Sequence, residues 1–250
     1  MKYTEIDHIQ GGEILENPYQ EVIIPQSSSK ADSFINTYLF YRVFFVFVIG
    51  SVFGCYMEQI LYFIQKNIWE CRAGVIWGPF SEVYGFGVVL IYLLYQKMKS
   101  SSPLTVFCIS TVFGSAFEYI ARLFQEIVFH SITWDYSKQP FNLSGRTSLK
   151  YAICWGILGL VFIKFIFPFI EKQLDNIRGR AAFAFTWILI VFITINLAFS
   201  AIAVNRWNER LNGTSSNGYL EQYMDYHYGN EEMKELFPHM KFLEVSIKKL

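Results

Sequence analysis

Charge is scarce in this chain. Asp, Glu, Lys and Arg make up 17% of its 250 residues, against roughly a quarter in soluble domains. The two signs cancel to a net charge of zero, so there is no basic field to attract nucleic acid. Metal and nucleotide chemistry are equally thin. The four histidines (His8, His130, His227, His239) are scattered, with no H-E-x-x-H run. The four cysteines (Cys55, Cys71, Cys108, Cys154) form no C-x-x-C pair, and three of them sit in apolar stretches as small hydrophobes. No metal site and no cofactor is therefore expected. There is no G-x-x-x-x-G-K-[S/T] loop, so any ATP hydrolysis coupled to this chain falls to a separate ATPase subunit. The first thirty residues carry acids (Glu5, Asp7, Glu13, Glu16, Glu21) rather than the basic-then-apolar order of a cleavable leader, which makes the first apolar block a retained anchor.

What the chain has instead is apolar length. It is 53% hydrophobic and 19% aromatic, and the apolar residues come in blocks long enough to cross a bilayer, which takes about 20 residues of helix. Five blocks qualify, at 34–64, 77–95, 103–129, 149–170 and 181–204. A membrane barrel would show short alternating segments. The expected architecture is an all-α, polytopic helical membrane protein of about five transmembrane helices. A polar segment, 1–33, precedes the transmembrane domain, 34–204, and a polar tail, 205–250, follows it. The tail reads as short amphipathic helices interrupted at Pro238 and suited to the membrane surface. Basic residues flanking the blocks tip the N-terminus slightly toward the cytoplasmic side.

Two stretches echo each other, Val52-Phe53-Gly54-Cys55-Tyr56-Met57-Glu58 and Val112-Phe113-Gly114-Ser115-Ala116-Phe117-Glu118. Each places a glutamate four residues after a glycine, deep in an apolar block, where an ionisable group costs about 2.5–3.5 kcal/mol to insert. Gly50, Gly54 and Glu58 share one helical face, as do Gly114, Glu118, Ala121 and Gln125, and the second block has Gly78, Glu82 and Gly85. Small residues at that spacing admit a neighbouring helix, so the acids face protein. Plain helix packing accounts for this, and so does a shared polar cavity. The echo extends further, since Glu58 is followed by Arg72 and Trp77-Gly78, and Glu118 by Arg146 and Trp155-Gly156. This is the pattern of two parallel two-helix repeats plus a fifth helix, which would bring Glu58 and Glu118 together beneath Arg72 and Arg146. Arg122 lies one turn from both Glu118 and Glu126, the spacing of a charge-neutralising ladder.

The connections are unusual too. Trp134–Arg146 reads W-D-Y-S-K-Q-P-F-N-L-S-G-R, with interfacial aromatics, side chains that hydrogen-bond local backbone, and Pro140 and Gly145 as turn markers. It reads as an ordered loop capping the cavity. Ahead of the second block, Gly78-Pro79 and Gly85-Phe86-Gly87 fit either a discontinuous helix with irregular backbone or an ordinary helix with Pro79 in its first turn.

Glu58, Arg72-Ala73-Gly74, Gly78-Pro79-Phe80, Tyr84-Gly85-Phe86-Gly87, Glu118-Tyr119, Glu126, the W-D-Y-S and P-F-N-L-S-G-R runs and Trp155-Gly156 together resemble the putative ABC-transporter type IV (CmpB-like) family over roughly residues 35–170. The resemblance implies a multipass protein of the bacterial cytoplasmic membrane with a permease-like role and no assigned substrate. It carries Glu58, Arg72, Glu118, Trp134, Asp135, Asn142, Arg146 and Trp155 as binding or coupling candidates, with Glu82, Arg122 and Glu126 secondary. The sequence departs from the family pattern at Cys55, at Ser81-Glu82-Val83 and at Ala121-Arg122, which raises the expectation of a Glu82–Arg122 pair. Two other functions fit the same residues. One is an accessory or structural membrane subunit. The other is a membrane enzyme acting on a lipid-linked head group, for which no catalytic residue can be assigned.

Overall fold

The computed structural model describes residues 26–174 and 180–243, with side chains at 39–174 and 183–243. Most of the polar segment expected at 1–33, residues 175–179 within the Glu171–Arg180 break, and the last seven residues of the tail lie outside the described residues. The chain divides into two units, residues 1–42 and 43–250; the first helix begins in the first unit, and the packing and contacts below belong to the second.

Eight α-helices are described. They are α1 (Gln26–Lys66), α2 (Glu82–Met98), α3 (Pro103–Phe129), α4 (Leu149–Val161), α5 (Phe167–Leu174), α6 (Arg180–Leu211), α7 (Tyr219–His227) and α8 (Asn230–Leu236). A π-helical turn, Phe162–Ile166, joins α4 to α5. Four stretches are long and apolar enough to cross a membrane: Leu39–Lys66, Pro103–Phe129, Leu149–Leu174 and Phe183–Leu211. Large apolar side chains on them face outward, among them Val112, Ile120, Phe165 and Ile188, and a bilayer is the solvent that favours such a surface. The protein is an all-α membrane protein. Local signals set the helix ends. Ser102 caps α3 by accepting from the Thr105 N–H at 3.2 Å with Pro103 in the first turn, and His130 ends it in a left-handed conformation.

The second block differs from a simple spanning helix. α2 has 17 residues and begins at Glu82, not Trp77, so Pro79 lies ahead of the helix. Residues 67–81 instead run irregularly alongside α1 and α6, through Gly78 at a φ of +82°, a conformation glycine adopts without steric cost. Their backbone groups are satisfied by neighbouring helices. The Ile76 N–H donates to Ser200 Oγ at 2.9 Å. Asn196 satisfies both backbone groups of one residue, accepting from the Trp77 N–H at 3.1 Å and donating to its carbonyl at 2.7 Å. The Ser81 N–H donates to the Ser51 carbonyl at 3.2 Å.

The duplication is visible in the packing. A side chain at Gly54 would collide with Tyr84, and one at Gly114 would collide with Trp155. Gly85 lies against Ser51 and Phe47, and Gly156 against Thr111 and Phe107. Gly50 meets Val88, and Ser110 meets Gly159. Helix α1 thus packs on α2 through the same set of positions as α3 on α4, sixty residues apart along the first helix of each pair. Tyr84-Gly85 is the counterpart of Trp155-Gly156, which corrects the register read from Trp77-Gly78. Trp77 faces elsewhere, stacking on Phe199 of α6 at 4.7 Å between ring centroids.

The tail folds back as a cap in place of free surface helices. Met224, Met233 and Phe237 bury against Ala203, Val204 and Trp207 at the end of α6. A short strand, Lys241–Phe242, pairs antiparallel with Ser131–Ile132 just beyond α3. Arg206 donates to both oxygens of Asp225 at 2.9 Å, and Arg210 adds a third bond at 2.8 Å. The Arg206 hydrogen bonds, reinforced by Arg210, hold the Asp225 carboxyl down to about 2. A carboxyl depressed in the folded state stabilises above its unfolded value and loses that contribution as pH falls toward its folded one. Hydrogen exchange should therefore show the amides of α7 and α8 losing protection between about pH 4 and about pH 2. Asp225→Asn should lower their protection at neutral pH by about 2 kcal/mol.

Candidate functional site

The two repeated glutamates approach one group of phenols from opposite sides. Tyr84, packed on Gly54, lies close enough to Glu58, Glu118 and Tyr151 to interact with all three electrostatically. Glu118 is buried on the inner face of α3, in an i, i+4 series with Ser110, Gly114 and Arg122. One of its oxygens accepts from the Tyr136 hydroxyl at 3.1 Å and the other from Thr147 Oγ1 at 2.7 Å. Tyr136 stacks on Tyr151 with ring centroids 4.1 Å apart. Burial and the adjacent Glu118 carboxylate push the Tyr136 phenol well above its ordinary value, so it stays protonated and donates. Glu58 and Glu118 thus share a cluster built from Tyr84, Tyr136 and Tyr151.

The two arginines differ in the acids they meet. Arg72 pairs with Glu58 at 3.3 Å and Glu70 at 3.4 Å and stacks over the Tyr62 ring at 3.9 Å. Arg146 does not reach Glu118. It donates to Glu126 from two nitrogens, at 3.1 and 2.6 Å, and to the Tyr119 hydroxyl at 3.0 Å. Hydrogen bonding to Glu126 raises its pKa further above the ordinary arginine value, so Arg146 is a permanent cation. Glu126 also pairs with Arg122 at 3.2 Å, and Arg122 donates to the Trp134 carbonyl. The expected ladder therefore forms only on its Glu126 side. The expected Glu82–Arg122 pair does not form, because Glu82 lies in a cavity beside α1 and α6 with its Oε2 unpartnered.

The loop residues shape the cap over this cluster. Short strands Asn142–Leu143 and Thr147–Ser148 pair antiparallel, with Gly145 between them at a φ of +70°. The Asn142 amide donates to the Ser137 and Gln139 carbonyls at 3.1 and 2.7 Å and accepts from the Gly145 N–H at 3.0 Å. Asp135 accepts from the Ser137 N–H and hydroxyl at 2.9 and 3.0 Å, and the backbone donor in particular keeps its carboxyl below the usual range. The Trp134 indole N–H ties back to the Arg146 carbonyl at 3.0 Å. Asp135, Asn142 and Trp134 thus organise the loop that presents Tyr136, Arg146 and Thr147, while Trp155 packs under it against Gly114. Tyr119, Tyr136, Thr147 and Tyr151 are site residues that sequence reasoning missed. Hydroxyl side chains in an aromatic-rich membrane protein carry no distinguishing spacing, and only the position of Tyr136 inside the W-D-Y-S run pointed to one of them.

A contact chain also joins the cap to the site. His239 meets Glu70 at 2.6 Å and stacks edge-on to Tyr62, Glu70 pairs with Arg72, and Arg72 with Glu58. Among the described residues, no group of three or more His, Cys, Asp or Glu is placed to hold a metal ion.

Glu126 and Glu118 should differ under neutralisation. Glu126→Gln removes the counter-charge of two arginines at once and should cost about 2–3 kcal/mol, read as a lower melting temperature in detergent. Glu118→Gln keeps an amide oxygen for one of the two hydroxyls, Tyr136 or Thr147, and its NH2 can donate to the other, which turns to accept, so it should melt close to the parent.

A sequence model of one protein family, described as putative ABC-transporter type IV, matches residues 45–201. That is more than half of the chain and takes in much of α6, which the sequence resemblance had left outside. No solved structure matches the chain.

Proposed function

The chain belongs to the putative ABC-transporter type IV family, and on that footing we propose that it is the membrane-embedded component of a bacterial transport system whose ATPase is a separate subunit. Its working site is the cluster that Glu58 and Glu118 share. One observation supports this above the others. Tyr84 lies in the field of both Glu58 and Glu118, so one polar group stands between the two helix pairs at a depth where unpaired polar groups are costly. A solute crossing there would exchange hydrogen bonds with Tyr84 and Tyr136 and be held by the carboxylates. The arginines are already neutralised by Glu58, Glu70 and Glu126, and serve to position those acids more than to capture an anion. The loop and the folded cap then lie on the outer side, and the N-terminus on the cytoplasmic side.

The test is accumulation. Membrane vesicles from cells expressing the protein with its ATPase are incubated with whole-cell extract and ATP, and their contents profiled by mass spectrometry. At least one solute should accumulate with the parent chain and fall about tenfold or more with Glu118→Gln and with Tyr84→Phe, each present at normal amount; each tenfold loss corresponds to about 1.4 kcal/mol. Unchanged accumulation in both variants overturns the assignment of the site.

A second reading, action on a lipid-linked head group, is favoured by a groove of about 520 Å³ beside α3. Its wall is apolar at Val112, Ala116, Ile120 and Leu143 and ends at Tyr119 and Thr147, the partners of Arg146 and Glu118. An acyl or prenyl chain there would set its head group against both. On this reading a photoreactive long-chain phospholipid should label Ala116 and Leu143, and Ala116→Trp should abolish that labelling; labelling confined to the outward face of α6 would rule the reading out.

A further inference from the structure

Glu82 stands apart from the cluster above and has no ion-pair partner among the described residues. Its Oε2 is buried without a hydrogen-bond partner, and so is the Oγ of Ser51, a residue with no exposed surface. Both atoms belong to residues lining one small cavity between α1, α2 and α6, with about 10 Å³ available to a water-sized occupant, close to the least that admits a single small guest. The remaining walls are aromatic, aliphatic or amide, including Phe47, Val75, Phe80, Ile193 and Asn196, and none of the described lining residues besides Glu82 titrates. Gly74 is pressed against the Glu82 carboxylate, so that any side chain there would collide with it. The arginines near the helix ends, Arg72, Arg122, Arg146 and Arg206, are all engaged elsewhere.

Depth matters as much as chemistry. Ser51 lies near the middle of the Leu39–Lys66 stretch and Asn196 near the middle of Phe183–Leu211. The irregular segment that ends at Ser81 delivers the start of α2 to this level, so Glu82 opens a helix inside the apolar zone. Broken helices that end at mid-membrane commonly frame coupling-ion sites. A bare carboxylate there is costly, and among the described lining residues there is no basic group to neutralise it. One carboxylate balances one positive charge, and a divalent ion would leave an excess charge buried in the apolar zone.

We propose that this cavity binds one small monovalent cation, H⁺ or Na⁺, through the Glu82 carboxylate and the Ser51 hydroxyl. The site is separate from the Glu58–Glu118 cluster and does not depend on the transport reading of that cluster.

The experiment uses the purified full chain in nanodiscs, melted across about pH 6 to 9 in sodium chloride and in choline chloride. If Na⁺ is the occupant, sodium raises the melting temperature by at least about 3 °C over choline at the high-pH end. If H⁺ is the occupant, the melting temperature falls by a similar amount as pH rises, equally in both salts. In either case Glu82→Gln, which carries a permanent neutral amide, should show neither response, and Ser51→Ala should weaken it. Should Glu82→Gln fail to fold, the parent alone decides between the arms through the infrared band of a buried protonated carboxyl and through radiosodium bound per chain. A parent that shows neither a carboxyl band nor bound sodium overturns the proposal, as does a folded Glu82→Gln that keeps the parent's sodium or pH response.

Discussion

Asn196 closes two hydrogen bonds onto the backbone of Trp77 from the middle of an apolar helix, and much of the arrangement depends on that clamp. Irregular backbone inside hydrocarbon survives only where protein supplies the hydrogen bonds that water would give. With Asn196, Ser200 and the Ser51 carbonyl doing so, residues 67–81 descend between α1 and α6 and α2 starts at mid-depth. Tyr84 and Glu82 occupy successive parts of the first turn of that helix. The clamp therefore determines where both polar centres lie, the phenol between two glutamates and the carboxylate in its small cavity.

The duplicated packing works with this constraint. Gly54 receives Tyr84 and Gly114 receives Trp155, so in each pair a large ring crosses the helix one turn before the glutamate. The pairs diverge in their connections. From Glu58 to Tyr84 is 26 residues and from Glu118 to Trp155 is 37, so the second connection is longer by 11. That extra chain belongs to the loop, closed by two short paired strands, that presents Tyr136, Arg146 and Thr147. In the first pair the arginine bonds the repeated glutamate directly. In the second the loop delivers hydroxyls to Glu118 and sends the arginine to Glu126, one further pair of turns along α3.

Much of this was legible beforehand. The apolar blocks, the two glutamates on small-residue faces and the ordered character of Trp134–Arg146 all follow from spacing and composition, because burial in a bilayer penalises exceptions heavily. The pairing of charges was less legible. Arg122 is one turn from both Glu118 and Glu126, and sequence spacing treats those two options alike; the Trp134 carbonyl and the two donors to Glu118 decide it. The register of the second helices was misread at Trp77 because Trp-Gly is a more conspicuous pair than Tyr-Gly, although it is Tyr84-Gly85 that packs.

By itself, then, the sequence determined that this is a helical membrane protein with a duplicated acidic motif and an ordered polar loop, since hydropathy and helical periodicity act locally and tolerate few alternatives. Tertiary structure alone decided which acid each arginine neutralises, that the tail folds back as a cap, and that Glu82 is left without a counter-charge among the described residues. Those outcomes depend on groups such as Arg206 with Asp225, Trp77 with Asn196 and Gly74 with Glu82. Distance along the chain says little about which of them meet, and each meeting depends on helices already packed in place.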